Sequence, residues 1–531
     1  MKSGNGNRKE KVMSLAENYV IGMDCGTTNI KAIIMDDQGN LIAQASRPNR
    51  FLISGTDRQE QNALDWWENA RQIFLQLTAQ AGKRVTERIR GICISSHTVS
   101  LLPVDEKGQP LRNAITYQDS RSATELQRIV EKIGYERYVR NVAARPSVAF
   151  LPGKLLWYKE HEPEKFEKTK ALLQASSYIN FRLTGVMSSD VDQASRTQCL
   201  DAVTGEWSDL IGTSMNIDLK RILPKPETVD WIIGAVTGEA AKETGLKAGT
   251  PVLAGCSDAM ASMYATGMSR LGEAGESSGT TSLVFAGSTS QSAPDLPVVT
   301  RPCAIEGMPW IFDAPIQTSG AALKWYIENH AEKERIEAEK KGINIYEYLN
   351  RQALEAKPGS NGLFFFPYLL GERAPLWNDY ARAMWIGMGM NTTHAEMTRS
   401  VFEGTSYALR HVMETIKAAG AKADVLRICG GGARSETWCR IKAAMLHMPV
   451  YLLDENSGDV PFGDALIAGH RTGVFPDLTE AVKRIVKVKK IIEPDEAWAR
   501  QYDELYPYYI DMYQALDQKL KGLREIVQKA G

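Results

Sequence analysis

The chain has 531 residues, 43 % of them hydrophobic and 24 % charged, with a net charge of −1. That length exceeds a single compact core and implies two to four domains, while the near-neutral balance excludes the clustered Lys and Arg that drive binding to nucleic acid or to anionic membranes. The most apolar stretch, residues 363–370, contains Pro367 and falls far short of the ~20 residues a membrane span needs.

In chain order, residues 1–18 are polar and mixed in charge, without the apolar core of a signal peptide. They read as a loose tail on a chain that starts and stays in the cytoplasm. Residues 19–36 read as a hairpin of two buried strands around a polar turn. Gly26 in that turn offers backbone angles closed to other residues and lets a ligand come close. Thr27, Thr28 and Asn29 add hydroxyl and amide donors. Such a turn grips phosphate; an ordinary hairpin with a glycine turn is the alternative. Asp24 at its mouth suits Mg2+, which takes one or two carboxylates and several waters. A turn at 36–40 and a strand at 41–45 complete three antiparallel strands. A helix is expected over 62–80, then a strand over 89–94 that delivers Ser95, Ser96 and His97 to its carboxyl end, where α/β sheets line ligand crevices. A purely structural histidine is the other reading. Gln118, Asp119 and Arg121 read either as a hydroxyl-binding set or as a solvated helix start. Residues 122–245 are mostly helical, with Trp157 and Trp207 as packing residues.

A strand over 251–254 runs into Asp258 and a small-residue helix over 259–267. Asp258 is either that helix's N-cap or a base, ionised at neutral pH, that takes the proton of a hydroxyl attacking phosphorus. Residues 273–287 repeat the first hairpin, with Gly279, Thr280 and Thr281 at the turn. Two such turns half a chain apart indicate a duplicated domain, and facing each other across a cleft they would clamp one polyphosphate. Residues 311–320 lead to an amphipathic helix near 321–327, and 371–377 form a loop to which the sequence gives no role. A strand over 425–429 ends in Gly430, Gly431 and Gly432 before a helix over 436–446. Those glycines allow a flat ring or a phosphate close to the backbone, without the Gly-x-x-x-x-Gly-Lys of a P-loop. Residues 461–469 form a small-residue helix suited to packing between domains. The seven cysteines are scattered, with no Cys-x-x-Cys pair, and read as free buried thiols rather than zinc ligands.

The two Gly-Thr-Thr hairpins, Asp258 between them and the triple-glycine loop, in this order, resemble the FGGY family of carbohydrate kinases over residues 19–475. Residues 383–388, Glu396, Met397 and 400–403 are similar to its C-terminal signature, and Lys154, Leu155 and Trp157 to part of its N-terminal one. The resemblance implies an α/β fold of two ribonuclease-H-like domains, the actin-like ATPase architecture, over 19–268 and 269–531 with a cleft between them and a hinge near 267–272. It implies ATP and Mg2+, with Asp258 as catalytic base and Asp24 as the metal-associated aspartate. Gly26, Thr27, Thr28, Lys31, Gly279, Thr280, Thr281, Ser319, Gly320, Gly431, Gly432 and Ser435 fall at nucleotide contacts. Ser96, His97, Gln118 and Asp119 fall at the sugar. Glycerol kinases carry Arg-Glu where this chain has Ser96-His97, whereas xylulose kinases carry Met-His there and Asn-Asp in place of Gln118-Asp119. The run 371–378 is similar to gluconate kinases. The implied substrate is a pentulose, xylulose first, with gluconate or another polyol as the alternative. An actin-like or chaperone-like ATPase without a small-molecule acceptor is the competing class, and a homodimer stays open.

Overall fold

The computed structural model describes residues 17–55, 57–292, 297–298, 300–454 and 458–530, so the expected tail lies, up to residue 16, outside the described residues. The first lobe opens with β1 (Tyr19–Cys25), β2 (Asn29–Asp36) and β3 (Leu41–Pro48) as an antiparallel meander. Strand β1 is buried along its whole length because both faces of the sheet are covered. Tyr19, Ile21, Met23 and Cys25 point into one core, with Trp66, Ile73, Phe74 and Leu77. Val20, one residue out of step, points into another. The first of these covers comes from helix α1 (Ala63–Ala81), whose buried residues recur at helical spacing and whose start is capped by Asn62, accepting from Leu64 N at 3.1 Å.

Strand β4 (Ile89–Ser96) then runs parallel to β1. The remaining elements of this lobe include helix α2 (Val191–Arg196), strands β5 (Ile232–Ala235) and β6 (Pro251–Leu253), and helix α3 (Asp258–Ala265). The sheet order is β5-β6-β4-β1-β2-β3, with Cys256–Ser257 also pairing with β4.

The second lobe repeats the plan. Strands β7 (Gly272–Ser278) and β8 (Ser282–Ser288), then β9 (Thr300–Ile305) and β10 (Met308–Ile316), form the antiparallel part. Helices α4 (Gly320–His330) and α5 (His394–Ala418) follow, the latter opened by a Thr393–Glu396 capping box. Strand β11 (Ala423–Cys429) returns parallel to β7, followed by helix α6 (Glu436–Leu446) and strand β12 (Val450–Leu453). Helix α7 (Val460–Arg471), strand β13 (Val488–Ile492) and the long helix α8 (Glu496–Ala530) end the chain. The second sheet reads β9-β10-β8-β7-β11-β12-β13. In both lobes a three-stranded meander is extended from its first strand by two parallel strands, so the chain is two ribonuclease-H-like units in the actin-like ATPase arrangement.

Packing does not follow the chain order. Helix α7, late in the sequence, lies on β1, β2 and β4 of the first lobe and crosses α3. A Cβ on Gly463 would stand 1.9 Å from Ala261 O, so the two helix backbones touch there. The small-residue helix expected over 461–469 owes its composition to this contact. Gly463→Ala is expected to destabilise the protein by about 1–3 kcal/mol through overpacking, read by urea denaturation. Among the described residues all seven cysteines are free, and no helix is long and apolar enough to cross a membrane.

Candidate active site

The carboxyl ends of the parallel strands place the polar residues side by side. In the first sheet Asp24 is in register with Ser95, and Ser95 with Cys256, so β1, β4 and the segment leading to Asp258 finish at one edge. In the second sheet Ser277 is in register with Cys429, which brings the second Gly-Thr-Thr turn and the triple-glycine loop to one edge as well. Pairs that link the two halves of the chain here include Lys31 on β2 with Asp459, the cap of α7, at 3.3 Å, and Arg196 on α2 with Asp313 on β10.

Asp258 is the first residue of α3, and the N-cap is the residue before it. Ser257 Oγ accepts from Met260 N at 3.2 Å, while Asp258 Oδ1 accepts from Ala259 N at 2.8 Å. The alternative reading of Asp258 as the cap is therefore corrected: Ser257, with its extended backbone and short hydroxyl, is the cap and satisfies the Met260 N–H, while Asp258, one residue inside the helix, gives one oxygen to the Ala259 N–H. Burial pushes its carboxyl up to about 6; the nearby Arg196 charge and the Ala259 N–H hold it down, and Asp313 and Asp192 raise it. Asp24 is pushed well above the ordinary carboxylate range, first by burial and then by the charges of Asp258 and Asp459, with Lys31 and Ser95 opposing. A divalent cation at Asp24 would relieve that crowding. Among the described residues no three His, Cys, Asp or Glu side chains are grouped to hold a metal.

In the first turn Thr28 and Asn29 are exposed and Thr27 half-buried, its hydroxyl 3.5 Å from Tyr117 Oη. Gly26 does not have the positive φ that would reserve it for glycine. A side chain there would instead meet Asn29 O at 2.9 Å and Asp24 Oδ2 at 3.1 Å, which corrects the reason expected for this glycine. In the second turn Gly279, Thr280 and Thr281 are all exposed. The carbonyls of Gly279 and Thr280 accept from Ser319, Gly320 and Ala321 N–H groups at 3.0–3.2 Å, which seats the start of α4 on the turn. The loop 371–377 gains a role here: Glu372 Oε1 accepts from Gln317 N at 2.7 Å and so braces the segment entering Ser319. In the triple-glycine loop a Cβ on Gly432 would stand 2.1 Å from Ser278 Oγ, so this glycine admits the neighbouring strand. Gly431 is exposed, and Ser435 caps α6, accepting from Trp438 N at 3.1 Å and donating to Asn350 Oδ1 at 2.5 Å.

The four residues expected at the sugar are not equally free. Ser96 is buried, 3.2 Å from both Ser176 Oγ and Gln193 Oε1. His97 is buried with its ring nitrogens 3.0 Å from Cys25 O and Ser100 Oγ, and burial lowers its pKa to about 4, so it is neutral at pH 7. Asp119 is fully buried, accepting from Gln59 N at 2.7 Å and from Arg121, whose guanidinium also lies over Trp157. The reading of 118–121 as a solvated helix start is thus corrected for Asp119, which is held in a buried ion pair; Gln118 alone of the four is exposed. Tyr117, Arg196, Asp192, Asp313 and Asp459 carry no local sequence signal, because their partners lie from a few residues to hundreds of residues away.

The model of the N-terminal domain of the FGGY family of carbohydrate kinases matches residues 19–265, and that of its C-terminal domain matches residues 276–472. The chain is 28 % identical to a xylulose kinase of Bacillus subtilis (strain 168) over 521 residues, covering 96 % of this chain and 99 % of the relative. It is 28 % identical to a gluconokinase of the same organism over 511 residues, covering 94 % and 96 %. Its fold is similar to the crystal structure of xylulose kinase from Rhodospirillum rubrum, with a TM-score of 0.85 at 27 % identity, covering 95 % of this chain and all of that one.

Proposed function

This chain belongs to the FGGY family of carbohydrate kinases, and from that premise we propose that it transfers the γ-phosphate of ATP to a hydroxyl of a pentulose, xylulose first. Membership makes it a sugar kinase and sets aside the reading as an ATPase without a small-molecule acceptor. The observation that carries the proposal is the place of Asp258: a buried carboxyl on the first residue of α3, just after the cap Ser257, at the edge where the parallel strands of the first sheet end.

In this reading Asp258 takes the proton of the attacking hydroxyl. The turns at Gly26, Thr27 and Thr28 and at Gly279, Thr280 and Thr281 hold the phosphates from the two lobes, with Lys31, Ser319 and Gly320 beside them. Gly431, Gly432 and Ser435 border the adenosine. Asp24 would hold Mg2+, which would supply neutralisation of the phosphate charge, the chief need of phosphoryl transfer. Ser96, His97, Gln118 and Asp119 line the acceptor. A sugar hydroxyl meeting His97 or Asp119 shares them with the partners they already hold, which fits fixed orientation better than flexible reach. The crossing between the lobes near residues 267–272 serves as the hinge for closure over both ligands.

The second reading is gluconate as acceptor. It is favoured by the 28 % identity to a gluconokinase, equal to that of the xylulose kinase. A panel of pentuloses, polyols and sugar acids with ATP and Mg2+, read by ADP release, separates the two; turnover of none of them removes the proposal. Because the base must be ionised, activity falls as pH drops through the raised pKa. The acid limb of kcat/KM is expected to have a midpoint near 6, against about 4 for an unperturbed Asp.

A further inference from the structure

We propose that Arg196 is a positioning residue through which the second lobe holds Asp258 in register for phosphoryl transfer. This rests on the kinase reading above. The chain of contacts is continuous. Asp313 on β10 of the second lobe is bonded to Arg196 Nη1, and Arg196 Nε donates to Asp192 Oδ1 at 2.9 Å. The other oxygen of Asp192 accepts from Ser257 N at 2.9 Å and Ser257 Oγ at 2.5 Å. Ser257 is the cap that starts α3 and immediately precedes Asp258. A contact that belongs to the second lobe is therefore passed, through two ion pairs and a cap, to the backbone that carries the base.

Three features set this bridge apart from an ordinary surface pair. Asp192 is fully buried and the side chains of Arg196 and Asp313 are 12 % and 7 % exposed, so the charges act with little screening. The bridge is doubled in the opposite direction: Arg301 on β9 of the second lobe donates to Ser195 O at 2.9 Å on the first. Among the described residues Arg196 Nη2 and Arg301 Nε are buried without a hydrogen-bond partner, a cost the bridge carries. The Arg196 charge also lowers the pKa of the Asp258 carboxyl, against the rise that burial causes. Opening of the cleft must stretch or break the Arg196–Asp313 bond, since its ends belong to different lobes. The base is thus aligned when the lobes are together.

The test uses the full-length protein with ATP, Mg2+ and D-xylulose, or gluconate if that is the acceptor turned over. Asp313→Asn keeps the shape and removes the charge. It is expected to lower kcat by about ten- to a hundredfold, the scale of a misplacement of about 1 Å, while KM for ATP stays within about twofold. Free phosphate released per sugar phosphate formed is expected to rise, because the nucleotide stays bound while the acceptor's base is out of line. Arg196→Lys is expected to retain more activity than Arg196→Gln. Should the Arg196 variants fail to fold, Asp313→Asn and Asp313→Glu carry the test, the latter recovering part of the rate. A kcat for Asp313→Asn within twofold of the parent, or phosphate and sugar phosphate falling by the same factor, overturns the proposal. Those outcomes with an inactive Asp258→Asn would remove the bridge alone, whereas a fully active Asp258→Asn would remove the assignment of the base on which it rests.

Discussion

Asp258→Asn is expected to lower kcat by about 10²- to 10⁴-fold, the range in which a positioned general base contributes, with ATP affinity nearly unchanged. The amide keeps the acceptor that Ala259 N uses, so the start of α3 is preserved and the loss reports proton transfer. A second effect runs the other way. The folded chain holds this carboxyl at about 6 where an ordinary aspartate has 3.8, so ionising it is harder in the folded state than in the unfolded one. The resulting penalty is absent below pH 4, grows between pH 4 and 6 and is constant above. Replacing the acid by its amide removes it, and stability at pH 7 is expected to rise by up to about 3 kcal/mol. Turnover near that of the parent would refute the base. A melting temperature that gained nothing at pH 7 relative to pH 4 would refute the strained carboxyl.

Lys442→Met is expected to cost about 3–5 kcal/mol, the scale of stranding a buried charge. Lys442 on α6 donates to both oxygens of Glu276 on β7, at 2.7 and 2.8 Å, and both side chains are 1 % exposed. Glu276 also accepts from Ser282 Oγ at 2.8 Å. This pair ties the helix that follows the triple-glycine loop to the hairpin that bears the second Gly-Thr-Thr turn. Adding Glu276→Gln removes the stranded charge and keeps an acceptor for Ser282, so the double variant is expected to recover most of the loss. Urea denaturation reads both. A single variant as stable as the parent would mean the pair contributes nothing net. Because both nucleotide segments hang on it, a raised KM for ATP is expected in the single variant.

Much of the fold was legible because burial imposes simple periods. Tyr19, Ile21, Met23 and Cys25 alternate with Val20, a pattern that only a strand covered on both faces requires, and the matching hairpin at Gly279 exposed the duplication. The helix at 436–446 was bounded correctly since Ser435 and the preceding glycines mark its start. What could not be read was pairing at a distance. Ser257 and Asp258 are both good caps by type, and only the backbone of Ser257 decides between them. His97, Ser96 and Asp119 looked like a polar pocket, yet their partners Ser100, Gln193 and Gln59 consume much of their hydrogen-bonding capacity. Arg196 is one cation among 63, and nothing local reveals that its partner Asp313 lies on the other lobe. The loop at 371–377 was silent for the same reason: Glu372 acts through Gln317, more than fifty residues earlier.

The resting of α7 on the opposite sheet makes the two halves of the polypeptide obligate to one another. One apolar cluster holds Val20, Met35 and Cys93 together with Phe285, Cys429 and Leu453, and Phe462, Ala465 and Leu466 of α7 fill the space between them. A fragment ending at residue 268 would leave the underside of its first strands open to solvent, and a fragment beginning there would carry a greasy helix with nowhere to lie. Ancestral doubling of such a unit yields a working protein only if each copy surrenders its closing helix to the seam. Cutting the gene in two should therefore give insoluble pieces that recover only when made together.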